Sequence, residues 1–221
     1  GDMDVDPGPE VSTLDYVGSG REQGFVWKLT KDGNFDWAHE APVQMAHAVA
    51  VDPAGDIVVV GVLAGSFDFD PGPDSYVLSA SDSLLDAFVW KLDRAGGFIW
   101  AGRLGGDYLD EAQGVATDAS GNILITGYIA VSNPALVDID PSEDGVYQVQ
   151  CQAGYNVLVA KLNSDGDFLW GHVAGGSEYC IGAGITTDCF GNAFVTGGFE
   201  ATVDLDPGPD VSQLTSAGSE D

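Results

Sequence analysis

Basic residues are scarce in this chain: seven Lys and Arg stand against 35 Asp and Glu, for a net charge of −28. A field of that sign repels phosphate backbones and anionic lipid surfaces, so nucleic acid and anionic membrane surfaces are expected to be poor partners and cations favoured ones. Long hydrophobic runs are missing as well. The longest, "IVVVGVLAG" from Ile57, is about half of what a membrane span needs, so no membrane insertion is expected. Cysteine is limited to Cys151, Cys180 and Cys189, which show no metal-ligand spacing and, being odd in number, fix no disulfide framework. No secretory leader is visible, and the chain opens inside a repeat, as a fragment or a mature form does. What is plentiful is glycine, 31 in 221 residues, with 10 prolines and 44% hydrophobic content. That composition belongs to a folded, turn-rich protein and not to a disordered acidic tail.

The acids are not scattered. "FDFDPGPD" from Phe67 sets two aspartates two residues apart before Pro-Gly-Pro and a third acid, and it recurs as "MDVDPGPE" from Met3, "VDIDPSED" from Val137 and "VDLDPGPD" from Val203. The second aspartates, Asp6, Asp70, Asp140 and Asp206, are separated by 64, 70 and 66 residues. Other landmarks keep that step. "FVWKL" from Phe25 returns unchanged from Phe88 and as "LVAKL" from Leu158, and "AVAVDPAGDIVVVG" from Ala48 returns as "GVATDASGNILITG" from Gly114 and "GITTDCFGNAFVTG" from Gly184. Columns that recur in register identify a repeat protein.

Each landmark reads as a strand. Short β-rich apolar runs flank turns such as "ASG" and "DRAGG", so one unit is a meander of four strands: A ("GVATD"), B ("NILITG"), C ("FVWKL") and D ("GFIWAG"). The acidic motif sits in a B-to-C connection of about 20 residues whose second half alternates like a fifth strand. Four-stranded sheets repeating along a chain predict an all-β fold of β-propeller-type repeats, with four-stranded antiparallel blades and an extra acidic β insert between strands B and C. A β-solenoid is the alternative. The expected units are a half blade over 1–42 (insert, C and D), blades over 43–106 and 107–176, and a half blade over 177–221 (A, B and insert). Two whole and two half blades are too few to close a ring, so completion from outside is expected.

The run "DAFVWKLDRAGGFIWAGRLGGDYLDEAQGVATDASGNILITGYI" from Asp86 resembles the bacterial SBBP β-propeller repeat and, more distantly, NHL repeats. The first unit departs from that pattern, since "AHEAPVQMAHAV" lacks the double glycine of "GGDYLDEAQGV". The resemblance implies an extracellular or cell-surface bacterial repeat protein.

Three columns are candidates for chemistry. Asp68 and Asp70 share a strand face, and the Pro-Gly turn can return Asp74 towards them. Three carboxylates with turn carbonyls are the hard oxygen ligands of Ca2+. The expected calcium sets are therefore Asp4, Asp6 and Glu10; Asp68, Asp70 and Asp74; Asp138, Asp140 and Asp144; and Asp204, Asp206 and Asp210. Against this stands a plainer role, in which Asp closes an Asx-turn and protects an edge. Lys28, Lys91 and Lys161 share a strand-C column. They predict internal salt bridges, with Asp52, Asp118 and Asp188 at the ends of strand A as candidate partners and Asp118 or a turn neighbour as the partner of Lys91. Trp27 and Trp90 in strand C, and Trp37, Trp100 and Trp170 in strand D, predict inter-blade packing, with a carbohydrate-stacking surface as the alternative. Among the cysteines, only a Cys151–Cys180 bridge is compatible with the strand layout.

Catalytic spacing is lacking around His39, His47 and His172, and four near-equal acidic sites argue against one active site. The expected function is a non-catalytic extracellular or cell-surface structural repeat, calcium-stabilised, for adhesion or for ring or fibre assembly. Its partners would be further repeats of the same chain, head-to-tail copies of itself, or extracellular glycans. A carbohydrate-binding propeller and a polysaccharide-acting enzyme on a propeller scaffold are the alternatives.

Overall fold

The computed structural model describes residues 3–14, 24–41, 45–81, 85–106, 108–142, 145–175, 178–208 and 210–218. Every regular element among them is a strand, and no helix is long and apolar enough to cross a membrane. In chain order the first strands are β1 (Met3–Asp4), β2 (Thr13–Leu14), β3 (Gly24–Leu29) and β4 (Phe35–Ala41). They are followed by β5 (Met45–Val51), β6 (Ile57–Leu63), β7 (Ser66–Asp68), β8 (Val77–Ser79), β9 (Asp86–Leu92) and β10 (Phe98–Leu104). The next unit holds β11 (Asp110–Thr117), β12 (Ile123–Val131), β13 (Ala135–Asp138), β14 (Gln148–Cys151), β15 (Gly154–Leu162) and β16 (Phe168–Gly175). The last strands are β17 (Cys180–Thr187), β18 (Ala193–Phe199), β19 (Thr202–Asp204) and β20 (Gln213–Thr215).

Two antiparallel four-stranded meanders, β5-β6-β9-β10 and β11-β12-β15-β16, form the second and third sheets. The flanking sheets have two strands each, β3-β4 before and β17-β18 after. The expected strands A to D are all present, and each pairs as the meander requires. The acidic insert is not a fifth strand of its sheet. It folds as a separate two-stranded hairpin in all four copies: β1-β2, β7-β8, β13-β14 and β19-β20.

The core lies between sheets, which is why strand B reads as a nearly continuous apolar run and does not alternate. Ile57 and Val59 of β6 face one way, into a cluster with Val26 of the first sheet and Phe88 and Trp90 of β9. Val58 and Val60 face the other way, into a cluster with Ile123, Ile125 and Leu158 of the third sheet. A smaller cluster of Val157, Cys180 and Val203 joins the third sheet to the last. Strands β5, β11 and β17, the A strands, run beside one another.

The strand-B glycine of the repeat has a steric cause. Strand A carries a bulge at Ala46/Ala48, at Ala112/Gly114 and at Gly182/Gly184. A Cβ on Gly61, Gly127 or Gly197 would collide with the backbone carbonyl of Met45, Glu111 or Ile181 at that bulge.

Candidate functional site

The acidic hairpins use their carboxylates on their own backbone. Asp68 Oδ1 accepts the N–H groups of Asp70 (3.1 Å) and Tyr76 (2.8 Å), so it ties the two ends of the loop together. Asp70 Oδ1 accepts the N–H of Gly72 at 2.7 Å, across a proline that has no N–H of its own. The other copies repeat this arrangement. Asp4 receives Asp6 and Ser12, Asp138 receives Asp140 and Tyr147, and Asp204 receives Asp206 and Ser212. Asp6, Asp140 and Asp206 receive Gly8, Ser142 and Gly208. N–H donation, that of Tyr76 first, holds the exposed Asp68 carboxyl below its ordinary range.

The residue between the two aspartates explains the spacing. Alternation puts both acids on one face and the middle side chain on the other. Phe69 is fully buried, 5.5 Å from the Phe88 ring and 5.9 Å from Trp90, and Ile139 is a member of the core between the second and third sheets. The hairpins of Phe69 and Ile139 are thus plugs with an apolar tip and a carboxylate-closed loop, whereas Leu205 at the same place in the last hairpin is 44% exposed. Glu10, Asp74 and Asp210 are exposed, and Asp144 lies outside the described residues. Among the described residues no three Asp, Glu, His or Cys side chains are grouped so as to hold a metal ion, so the third acid does not join the first two there.

The same turn device recurs elsewhere. Asp52, Asp118 and Asp188 each accept two backbone N–H groups of their A–B turn, and Asp93 and Asn163 do so in the C–D turns. The second oxygens of Asp52 and Asp118 meet the lysine column. Lys91 is buried and pairs with Asp52 of its own sheet at 2.9 Å, not with Asp118, which pairs with Lys161 at 2.8 Å. The β6–β9 register sets that choice, because strands B and C bring the A–B turn of one sheet over the lysine of the same sheet. Burial, the largest influence on Asp118, pushes its carboxyl up, but Lys161, the Asn122 side chain and the turn N–H groups outweigh it and hold it at about 2.

The lysines also reach the following sheet. Lys28 Nζ donates to the Arg94 carbonyl at 2.7 Å and Lys91 Nζ to the Ser164 carbonyl at 3.0 Å, equivalent positions of successive C–D turns. The tryptophans of strand D act at the same place. Trp100 Nε1 donates to the Ser164 carbonyl at 3.1 Å, and its ring covers Gly166, where a Cβ would stand 3.0 Å away. Over Gly96 the His39 ring is nearest, with Trp37 3.3 Å from where a Cβ would stand; the two rings stack with centroids 4.9 Å apart, and the buried Trp37 Nε1 has no hydrogen-bond partner among the described residues. His172 lies beside Trp170, and His47 Nδ1 stands 3.2 Å from the Ala112 carbonyl of the next sheet.

One polar cluster breaks the repeat. Asp86 is fully buried and bonds Ser81 and Arg103, the latter at 2.8 Å. Asp110, also fully buried, accepts the N–H groups of Gly106 and Ala130. Burial, opposed by those donors and aided by Asp86, pushes the Asp110 carboxyl up to about 7. Cys180 and Asn156 occupy the matching columns in later strands, so comparing the repeats by eye, column against column, is the signal that could have exposed it. The three cysteines are free: Cys151 packs among Ile129 and Leu158, whereas Cys180 packs with Val157 and Val203 in a different cluster, so the expected bridge does not form.

No protein-family model matches the chain. An uncharacterised WD repeat-containing protein of Acanthamoeba polyphaga mimivirus is 27% identical over 126 residues, which make up 54% of this chain and 9% of that protein. The chain therefore spans a small fraction of that relative. It is an all-β repeat chain with distant similarity to a WD-repeat protein.

Proposed function

We propose that the chain is a non-catalytic structural repeat segment built of propeller-type blades of the bacterial SBBP kind, more distantly of the NHL kind. It works outside the cell or at its surface, in adhesion or higher-order assembly. One observation carries this reading: the recurring residues close turns or join one sheet to the next. Lys91 and Trp100 both donate to the Ser164 carbonyl of the following sheet, and Lys28 makes the equivalent bond one sheet earlier. Recurrence of that kind serves the stacking of sheets. The two-stranded end sheets are completed by further sheets of the same type, from further repeats or from copies of the chain. Calcium enters this proposal through the motif spacing and the acid excess alone. The test is particle imaging of the chain across a concentration series, in calcium and in chelator. Rows or rings of sheets are expected. Compact single particles at every concentration would overturn the assembly reading, and identical images and melting curves in both buffers would remove calcium from it.

A further inference from the structure

We infer that the second and third sheets are latched where they meet by a proton held between Asp86 and Asp110, so that this one joint loosens as the pH rises towards neutral. Both sheets have all four strands, and the joint lies in the middle of the chain.

The end of one sheet and the start of the next build it. Asp86 opens β9 and Arg103 lies near the end of β10, both in the second sheet, while Asp110 opens β11 of the third. The loop from β10 to β11 crosses between the sheets, and the Asp110 side chain fastens it. Its Oδ2 accepts the Gly106 N–H at 2.7 Å, and its Oδ1 accepts the N–H of Ala130 in β12 at 3.1 Å. Gly105, at a left-handed φ of 122°, lets the loop pass so close that a Cβ there would collide with the Asp110 carboxyl. Ser81, after β8, ties the two sheets again. Its N–H donates to Asp86 at 2.7 Å, and its hydroxyl donates to the Gly106 carbonyl at 2.6 Å.

The cluster is short of positive charge and of hydrogen. Asp86 and Asp110 are both fully buried, yet the guanidinium of Arg103 bonds Asp86, at 2.8 Å, and Asp110 has no ion-pair partner among the described residues. Ser81 Oγ also stands 2.9 Å from Asp86 Oδ1, so its single hydrogen faces two acceptors. An added proton answers both shortages. The other titratable groups around Asp110 bring no cation: Cys151 of β14 is buried beside it, and Tyr128 of β12 is bonded to Glu111 of β11. Asp107, in the loop itself, lies outside the described residues. Burial, the largest influence, pushes the Asp110 carboxyl up to about 7, which brings the proton's release into the neutral range.

The next joint shows the same columns without the charge. Asn156, Val173 and Cys180 stand where Asp86, Arg103 and Asp110 do, so all three charged groups are replaced together. Asn156 accepts the Gln152 N–H at 2.9 Å and donates to the Gln152 carbonyl at 2.8 Å. A joint of this fold therefore closes with neutral side chains, and the ionisable set confers something more on the one that has it.

Opening the joint returns the Asp110 carboxyl towards its ordinary 3.8, so the open form releases the proton that the closed form keeps. Raising the pH then favours opening by up to about tenfold per pH unit between 3.8 and about 7, and no further above that. Cys151, buried in the core between these two sheets, reports the opening, and Cys180, buried at the neutral joint, is the reference. Both thiols are labelled with a disulfide reagent from about pH 5 to about pH 8 and read by mass spectrometry; their ratio cancels the shared rise in thiolate. The ratio of Cys151 to Cys180 labelling is expected to rise about tenfold or more up to neutral pH and to level off above it. Asp110→Asn flattens that rise, and so does Asp86→Asn, which installs the side chain of the next joint. If Asp110→Asn does not fold, Asp86→Asn decides. A wild-type ratio that stays constant with pH, or one that climbs as steeply in the folded variants, would overturn the latch.

Discussion

The pentapeptide "FVWKL" occurs twice, in β3 and in β9, and its two copies live in different surroundings. In β9, Phe88, Trp90 and Leu92 are completely buried; in β3, Phe25, Trp27 and Leu29 are 47%, 42% and 40% exposed. Sequence is identical, so the difference comes from neighbours. Strand β9 has β6 on one side and β10 on the other, with a sheet packed on each face, whereas β3 pairs with β4 alone among the described residues. The lesson is that burial in this molecule is conferred by the next strand and the next sheet. A strand-C sequence specifies a demand for partners without supplying them.

The sharpest way to test that contrast is to truncate the same residue in both copies. Trp90→Ala opens a cavity between two sheets and is expected to cost about 4 kcal/mol in a urea titration, while Trp27→Ala at low protein concentration costs less than about 1 kcal/mol. Equal losses would mean that the two copies share one environment. The lysine column gives the next contrast. Lys91→Met leaves Asp52 buried without its cation and costs about 3 kcal/mol, whereas Lys28→Met removes a half-exposed pair and costs less than about 1 kcal/mol.

A pH titration separates Asp110 from its repeat counterpart Cys180. The Asp110 carboxyl titrates near 7 in the folded chain, against 3.8 when unfolded. Between those values the folded state keeps a proton that the unfolded state releases. Stability from this group is therefore full below about pH 4 and falls as pH rises through 7, by on the order of 4 kcal/mol for a rise from 3.8 to about 7. Asp110→Asn flattens that limb; an unchanged slope would contradict the assignment. Asp118 runs the other way: its carboxyl is held at about 2, so its contribution is present above the unfolded value of 3.8 and lost as pH falls towards 2.

The smallest contrast lies in the acidic hairpins. Asp70→Ala removes the acceptor for Gly72 N–H and lowers the melting point slightly, while Asp70→Asn keeps an oxygen there and is close to silent without calcium. If calcium binds, Asp70→Asn instead abolishes part of a calcium-induced rise in melting point.

Much of this was legible beforehand because it is periodic. Turn residues and apolar columns mark strands A to D, and a buried lysine column demands carboxylates. The choice of Asp52 over Asp118 was open, because it depends on strand pairing within a sheet, which spacing alone does not show. The role of Phe69 and Ile139 went unseen since the eye falls on the charges around them. Asp86 and Asp110 escaped for a different reason. They occur in one unit only, with Asn156 and Cys180 in the matching columns, so it is a departure from the column and not a recurrence that marks them.

The central claim is that the end sheets need sheets of their own kind. Hydrogen–deuterium exchange on the 221-residue chain, read at β6 and β18 while concentration rises, tests it most directly. Both are strand B, and the account predicts slow exchange across Ile57–Leu63 at every concentration. The outward amides of Ala193–Phe199 should exchange fast when dilute and become protected as copies meet. Protection of β18 equal to β6 in the most dilute sample, or fast exchange at all concentrations, would contradict it.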